Sequence, residues 1–391
     1  MKMKINGDEK SVVSLVDTLL EQAITQGVSD IHLEPMSDKL RVRFRVDGVL
    51  HDQKSVDAAI MHQIISRLKV LASMDIAQKR SPQDGTFSLI ARDEPVDMRV
   101  STFPSVFGEK MVVRILDRNA QMLALEQLGF SDSMLEQFKL LLNRPNGFLL
   151  VTGPTGSGKT TSLYAALCAL HTADKNIVTL EDTIEYHLDG ITQGQINPQA
   201  GFTFEHGIRS VLRQDPDILL VGEIRDKQTA KIAIEAALTG HVVLSTLHTN
   251  DAASAIMRLM DMGVEPYLIN AAVTGVLAQR LVRKLCLDCK ESYTPDELEK
   301  AQLAKLKIDT NTLYRAKGCA ACNQLGYKGR TGIFELLTVT QPLRTLIVQQ
   351  PLFDAIHAQT LVDGLCTLAV DGGQKMKDGV ISLDELVRVV A

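Results

Sequence analysis

The chain has 391 residues, with 42 Lys and Arg against 47 Asp and Glu and a formal net charge of −5. Apolar residues make up 45% and charged residues 23%. That is core material for about two or three domains, which excludes a disordered chain and a disulfide-stapled miniature.

The slightly acidic balance argues against a general nucleic-acid coat. No stretch approaches the roughly 18 consecutive apolar residues of a spanning helix. The opening MKMKINGDEK lacks the apolar core of a signal peptide, so a cytosolic chain is expected. Residues 11–27 place Val12, Val13, Leu15, Val16, Leu19, Leu20 and Ile24 on one helical face. LRVRFRV (40–46) alternates strictly, with Val42, Phe44 and Val46 on one side and Arg41, Arg43 and Arg45 on the other. This is a half-buried strand whose arginines face solvent or a neighbouring subunit. Asp47-Gly48 reads as its hairpin turn. A helix over 57–74 follows, then strands over 95–103 and 110–117 joined by a turn with Pro104 and Gly108. Residues 1–117 are thus a small α+β domain with an antiparallel sheet. Residues 118–145 read as a linker with a helix at 131–142.

From residue 148 the pattern changes. FLLVTG (148–153), NIVTLE (176–181), DILLVGE (217–223) and HVVLSTLH (241–248) are nearly continuous apolar runs, as for strands covered on both faces. Helical patterns lie between them, which predicts an α/β core with a parallel sheet over 146–284. A cysteine-bearing insert over 285–335 and a helical region over 336–391 close the chain.

The strongest motif is Gly153-Pro154-Thr155-Gly156-Ser157-Gly158-Lys159-Thr160, a full G-x-x-x-x-G-K-[ST] between an apolar strand and a helical stretch. Its glycines let backbone N–H groups turn around phosphate oxygens, and the helix start adds partial positive charge. Lys159 is expected to reach the β- and γ-phosphates of ATP, and Thr160 to ligate Mg²⁺. DPDILLVGEIRD (215–226) ends an apolar strand at Gly222-Glu223, where Glu223 would orient the attacking water or hold Mg²⁺ through water. Glu181, Asp182 and Glu185 lie just past another strand, and His241 and His248 at the two ends of a fourth. Strand ends are where open α/β sheets put their ligands.

The cysteines form C-x2-C-x29-C-x2-C: Cys286, Cys289, Cys319 and Cys322. Paired thiols in a reducing compartment read as metal ligands. Four thiolates leave no open position, so a structural Zn²⁺ site is expected.

GPTGSGKTTSLYA, TLEDTIEY, RQDPDILLVGEIRD, ALTGHVVLSTLHTND and AQRLVRKLC, in that order, together resemble the secretion ATPases. The cysteine pairs, SDIHLEP, RSPQDG and GRTGIFELL narrow the resemblance to the type II secretion and type IV pilus assembly ATPases. That likeness implies a RecA-like P-loop ATPase domain preceded by a PAS-like domain, with six copies in a ring. It implies that Arg99 and Arg114 of the first domain approach the nucleotide. It also gives Glu181, Asp182 and Glu185 the role of the Asp box, Glu223 that of the Walker B acid, and His241 and His248 that of the His box, with Glu185 expected to help Glu223 orient the attacking water. Thr161 falls within the phosphate-binding block. Thr183 replaces a usual Pro, which removes a rigid φ but no catalytic group. Family members usually carry a further N-terminal domain that docks on an inner-membrane partner, whereas this chain opens at the PAS-like domain.

The expectation is an ATP-hydrolysing homo-hexameric motor for pilus or pseudopilus assembly. It would be peripheral at the cytoplasmic side of the inner membrane and partnered by platform and docking proteins, with no stable nucleic acid. The alternatives are a nucleotide-gated scaffold without turnover and a DNA-uptake or traffic ATPase of the same superfamily.

Overall fold

The computed structural model describes residues 12–91, 94–117, 123–349 and 352–390. MKMKINGDEK and residues 118–122 of the expected linker lie outside the described residues. The chain divides into two compact units, 1–121 and 122–391.

In the first unit α1 (Val12–Thr25) buries Val16, Leu20 and Ala23, one helical face. There follow β1 (Asp30–Pro35), β2 (Lys39–Val46), β3 (Val49–Asp52), β4 (Val56–Asp57), α2 (Ala58–Leu71), β5 (Gln83–Ala91), β6 (Glu94–Ser105) and β7 (Gly108–Asp117). The strands form an antiparallel sheet in the order β3-β2-β1-β7-β6-β5, with β4 on β2. Asp47 and Gly48 adopt φ of 48° and 85°, which a two-residue hairpin turn needs. The Asp57 side chain caps α2 by accepting the Ala59 N–H at 2.9 Å. Both helices pack on one sheet face with Ile31, Leu33, Val42, Phe44, Met98, Val100 and Val113. Alternation turns Asp30, His32, Glu34, Arg41, Arg43 and Arg45 to the other face. There Arg41 is bidentate to Asp52 at 2.6 and 2.9 Å, and Arg43 donates to Glu34 at 2.6 Å.

The second unit starts earlier than expected. Leu125, Leu128 and α3 (Asp132–Leu142) send Met134, Phe138 and Leu141 into its core. Apolar residues at that spacing demand burial, so 123–145 pack as part of this unit and do not serve as a linker. The rest runs β8 (Gly147–Thr152), α4 (Lys159–Leu170), β9 (Ile177–Glu181), β10 (Thr192–Gln195), α5 (Phe204–Val211), β11 (Ile218–Val221), α6 (Lys227–Leu238), β12 (Val242–Leu247), α7 (Ala252–Asp261), α8 (Pro266–Ala272) and β13 (Val273–Leu285). The sheet order is β10-β9-β11-β12-β8-β13-β16, where β16 is Tyr327–Thr338. All these neighbours pair in parallel except the antiparallel β13–β16 ladder. Every residue of β8 and β9 is buried, as strands flanked by helices on both faces must be.

The sequence expectation contains no strand at β13 or β16. Together they make the tetracysteine segment an insertion between two strands of the main sheet. It carries β14 (Glu291–Tyr293), α9 (Glu297–Lys305) and β15 (Leu313–Arg315). Residues 327–335 of the expected insert and 336–338 of the expected helical region belong to β16. The tail is α10 (Gln341–Val348), α11 (Phe353–Val362), α12 (Leu368–Lys377) and α13 (Leu383–Val390).

The tail is tied to the sheet by a buried charge. Glu385 is 1% exposed. It accepts from Arg283 N at 2.9 Å, Arg283 Nη2 at 2.6 Å and Arg388 Nη2 at 2.7 Å. Burial alone would raise the carboxyl pKa; the Arg388 and Arg283 donors overcome that and hold it at about 2. A folded pKa below the unfolded one gives stability that is full above the unfolded value and is lost as pH falls toward the folded value. The thermal midpoint of the wild type should therefore drop between about pH 5 and pH 2 more steeply than that of Glu385→Gln. At pH 7 the variant should be less stable by roughly 3 kcal/mol in urea unfolding, because it leaves Arg283 without its anion.

Candidate active site and tetracysteine cluster

The loop 153–158 joins β8 to α4. Gly153 has φ of 151°, and a Cβ there would lie 2.5 Å from Ser157 Oγ and 2.6 Å from the Gln279 carbonyl, so only glycine fits. Gly158 stands at the N-cap of α4 in the left-handed region, with no side-chain cap. The first N–H groups of α4 thus start without a side-chain acceptor, the arrangement that receives phosphate. Lys159 Nζ donates to the carbonyls of Gly153 and Pro154 at 2.8 and 3.1 Å. Burial pushes its pKa down to about 8, with Glu223 opposing the fall and Arg280 adding to it. Thr160 and Thr161, half-buried, follow on the first turn of α4. Pro154, Thr155 and Gly156 form the exposed lip.

Glu223 follows β11 at the same sheet edge. Its approach depends on Gly222, whose N–H donates to the Leu180 carbonyl at 2.7 Å. A Cβ on Gly222 would stand 3.2 Å from that oxygen and 3.3 Å from Glu181 Cα. The glycine in this position therefore reflects close backbone contact between the ends of β9 and β11. The Glu223 side chain is 15% exposed and ion-paired with Arg225, and His248 Nε2 lies 3.6 Å from its other oxygen. Arg225 also lies 3.7 Å from Asp182. The structure thus brings Asp182, Glu223 and His248 together around a guanidinium. Glu185 is exposed on the loop after Asp182.

Two expected nucleotide contacts are corrected. Glu181 is buried, and its carboxylate accepts from Tyr164, from Thr179 at 2.6 Å and from Gln193 at 3.3 Å. It locks α4 to β9 and β10, and these bonds occupy both of its oxygens. His241 precedes β12, whose Val242 pairs with Gly147 at the start of β8. Parallel strands put their starts opposite their ends, so His241 lies roughly 20 Å, the length of a six-residue strand, from the P-loop edge. Its ring instead meets the Ala236 carbonyl at 2.8 Å, at the C-terminus of α6. Only His248 reaches the site.

Sequence reasoning missed Arg225, Gln279 and Arg280. Gln279 is buried on β13 and donates to the Ser157 carbonyl at 2.7 Å, bracing the P-loop from the next strand. Arg280 donates to the Asn250 carbonyl at 2.8 Å, in the loop after His248. The available signal was position: Arg225 follows the end of β11, and Gln279 and Arg280 come directly after Ala278, which pairs with Thr152 at the end of β8.

In the insert, the sulfurs of Cys286, Cys289, Cys319 and Cys322 lie within 4.8 Å of one another. Sulfurs at about 2.3 Å from one zinc stand about 3.8 Å apart along the edges of a tetrahedron. The contacts Cys286–Cys319, Cys289–Cys322 and Cys319–Cys322 are 3.8, 3.9 and 3.7 Å. The backbone N–H groups of Cys319 and Gly326 point at Cys322 Sγ at 3.2 and 3.1 Å, as for a thiolate. The four residues fit one structural zinc. Arg99 and Arg114 lie in the first unit, on neighbouring strands and directly opposite each other.

A P-loop at the exit of a buried parallel strand, with an acid at the exit of another, defines a nucleotide-triphosphate hydrolase of the α/β class. The profile of the family described as Type II/IV secretion system protein matches residues 6–388. The chain is 48% identical over 386 residues to the type II secretion system ATPase E of Vibrio cholerae, covering 98% of this chain and 76% of that one. It is 49% identical to the type II secretion system protein E of Dickeya dadantii, with the same two coverages. The ATPase DotB of Legionella pneumophila shares the fold at a TM-score of 0.71 and 21% identity, covering 100% and 98% of the two chains. The chain belongs to the type II/IV secretion system ATPases and is an ATP-hydrolysing enzyme. Among the described residues no helix is long and apolar enough to cross a membrane.

Bound phosphate restores the charged form of Lys159. Nucleotide affinity should hold below pH 8 and fall above it, because the neutral amine attracts phosphate less. Calorimetric titration in buffers of unequal ionisation heat should show about half a proton or more taken up per site at pH 8.5 and little at pH 7. Equal uptake at both values would place the titrating group elsewhere.

Proposed function

We propose that the chain is the motor subunit that drives pilus or pseudopilus assembly in a type II secretion or type IV pilus system. It works as a homo-hexamer at the cytoplasmic face of the inner membrane. One observation carries this reading: Lys159, Glu223 and His248 meet at one sheet edge in a chain nearly half identical to ATPase E over 98% of its length.

The backbone N–H groups from Gly156 to Thr161, with Lys159, take the triphosphate. Thr160 is the residue that would hold Mg²⁺, which when bound offsets charge between the β- and γ-phosphates, with Glu223 able to reach the ion through water. Glu223 accepts a hydrogen bond from the attacking water, and Arg225 and His248 set the carboxylate's orientation. Arg99 and Arg114 complete the site by clamping the γ-phosphate. Their register puts two guanidiniums directly opposite each other on neighbouring strands, a pairing suited to one highly charged anion. Engagement and release of these arginines couples hydrolysis to conformational change. Platform and docking proteins of the inner membrane receive that change. The tetracysteine insert favours an assembly motor over retraction and DNA-transfer relatives, which generally lack it.

Glu223→Gln should bind ATP as tightly as wild type and turn over about a hundredfold more slowly; unimpaired turnover would remove Glu223 from the mechanism. The ring is tested by ATPase rate per subunit against protein concentration, with mass by light scattering on the same samples. The rate should rise as hexamers form and vanish in Lys159→Ala. A flat, negligible rate with tight ATP binding would favour the gated scaffold.

A further inference from the structure

The open face of the first unit carries an aligned row of side chains across its strands. Register places Thr86 opposite Arg99, Arg99 opposite Arg114, Arg114 opposite Asp30, and Asp30 opposite Arg45. One carboxylate thus stands in a row of three arginines. Asp30 is 5% exposed, whereas the Arg114 side chain is 64% exposed. Arg114 Nε donates to Asp30 Oδ1 at 2.8 Å. The other carboxylate oxygen accepts from Ser29 Oγ at 2.9 Å and has Arg45 Nε 3.5 Å away. Asp30 is therefore held from both ends while it holds Arg114.

The choice of nitrogen matters. A guanidinium has a fork of two Nη groups besides Nε, and the fork is what grips phosphate bidentately. A carboxylate that took both Nη groups would compete with phosphate. One that takes only Nε fixes the plane of the group and leaves the fork to an incoming anion. A charge-assisted bond from a buried, pre-fixed carboxylate removes rotamer freedom before the nucleotide arrives, which is how binding groups are made effective in a transition state.

We propose that Asp30 is a positioning residue for ATP hydrolysis, orienting Arg114 so that its Nη groups meet the γ-phosphate. The proposal rests on the reading of Arg114 as a phosphate clamp. Asp30 touches neither nucleotide nor water; it acts through Arg114, and its effect appears in kcat more than in KM.

The experiment is steady-state ATPase on the full chain for wild type, Asp30→Asn, Asp30→Ala, Arg114→Ala and the double variant Asp30→Asn/Arg114→Ala. The thermal midpoint of each is measured alongside. Asp30→Asn keeps the shape and is the variant least able to disturb folding. It should lower kcat about tenfold at near-wild-type KM, the range of a lost charge-assisted hydrogen bond, with a lower thermal midpoint that still lies above the assay temperature. Asp30→Ala should lower kcat at least as much. In the Arg114→Ala background Asp30→Asn should change kcat by less than about twofold, since coupled residues are not additive. Slow Arg114→Ala with wild-type kcat in Asp30→Asn and Asp30→Ala would overturn the role of Asp30 alone. So would an equal loss from Asp30→Asn in both backgrounds, which would mean it acts through the fold. Faster turnover in Asp30→Asn would overturn it as well, because the carboxylate would then be restraining the guanidinium. Wild-type turnover in Arg114→Ala would overturn the clamp reading and Asp30 with it.

Discussion

The parallel alignment of β8, β9, β11 and β12 is the constraint from which the site follows. Because these strands run the same way, the residues that leave them all arrive at one sheet edge: the P-loop after β8, Asp182 after β9, Glu223 after β11 and His248 after β12. None of these side chains needs a long loop to reach the others. The order β9-β11-β12-β8 fans them across the edge, with the P-loop at one side and Asp182 at the other. The same constraint excludes His241, which enters the strand that His248 leaves. A motif that spans a whole strand cannot put both its ends at one site.

β13 extends that edge and ties it to the rest of the second unit. Along this one strand Gln279 braces the P-loop, Arg280 holds the loop after His248, Arg283 pairs with Glu385 of the tail, and Leu285 leads into the first cysteine pair. Burial makes these interactions costly to leave half-made. A strand carrying several of them is pinned along its length, so the P-loop is braced by an element that has little freedom of its own.

The legible parts of this chain were those in which a single physical requirement shows in consecutive residues. A strand buried on both faces must be apolar throughout, so FLLVTG and DILLVGE announced themselves. The P-loop needs glycines at fixed places, as the crowding around Gly153 shows. β1 was hidden because its outward row is Asp30, His32 and Glu34, which leaves only Ile31 and Leu33 as apolar signal. β13 was hidden for a different reason. QRLVRK mixes charge and apolar residues without alternation, because this half of the strand serves the P-loop, a helix and a metal knuckle by turns. Glu181 shows the limit of reading a motif as a unit: it shares one short segment with Asp182 and Glu185, yet its side chain turns inward to Tyr164. Arg225 was in view in GEIRD, but no spacing rule marks a guanidinium that joins Glu223 to Asp182.

The position of the insert follows the same logic. Leu285 pairs with Tyr327 at the outer end of the β13–β16 ladder, and the cysteine pairs begin one residue beyond Leu285 and end a few before Tyr327. The two knuckles therefore need no fold of their own to meet, because the ladder brings their bases together and the four sulfurs converge from there. The backbone agrees: Cys286 N–H donates to the Gly326 carbonyl at 3.0 Å, and Leu285 N–H to Val380 of the tail at 2.8 Å. A metal at this point would clamp the outer end of the ladder. From that end inward the ladder is held by the thiolates, then by the Arg283–Glu385 pair, and at its middle by the bond from Gln279 to the P-loop. That gives a site built for chemistry a rigid wall, as a catalytic loop needs.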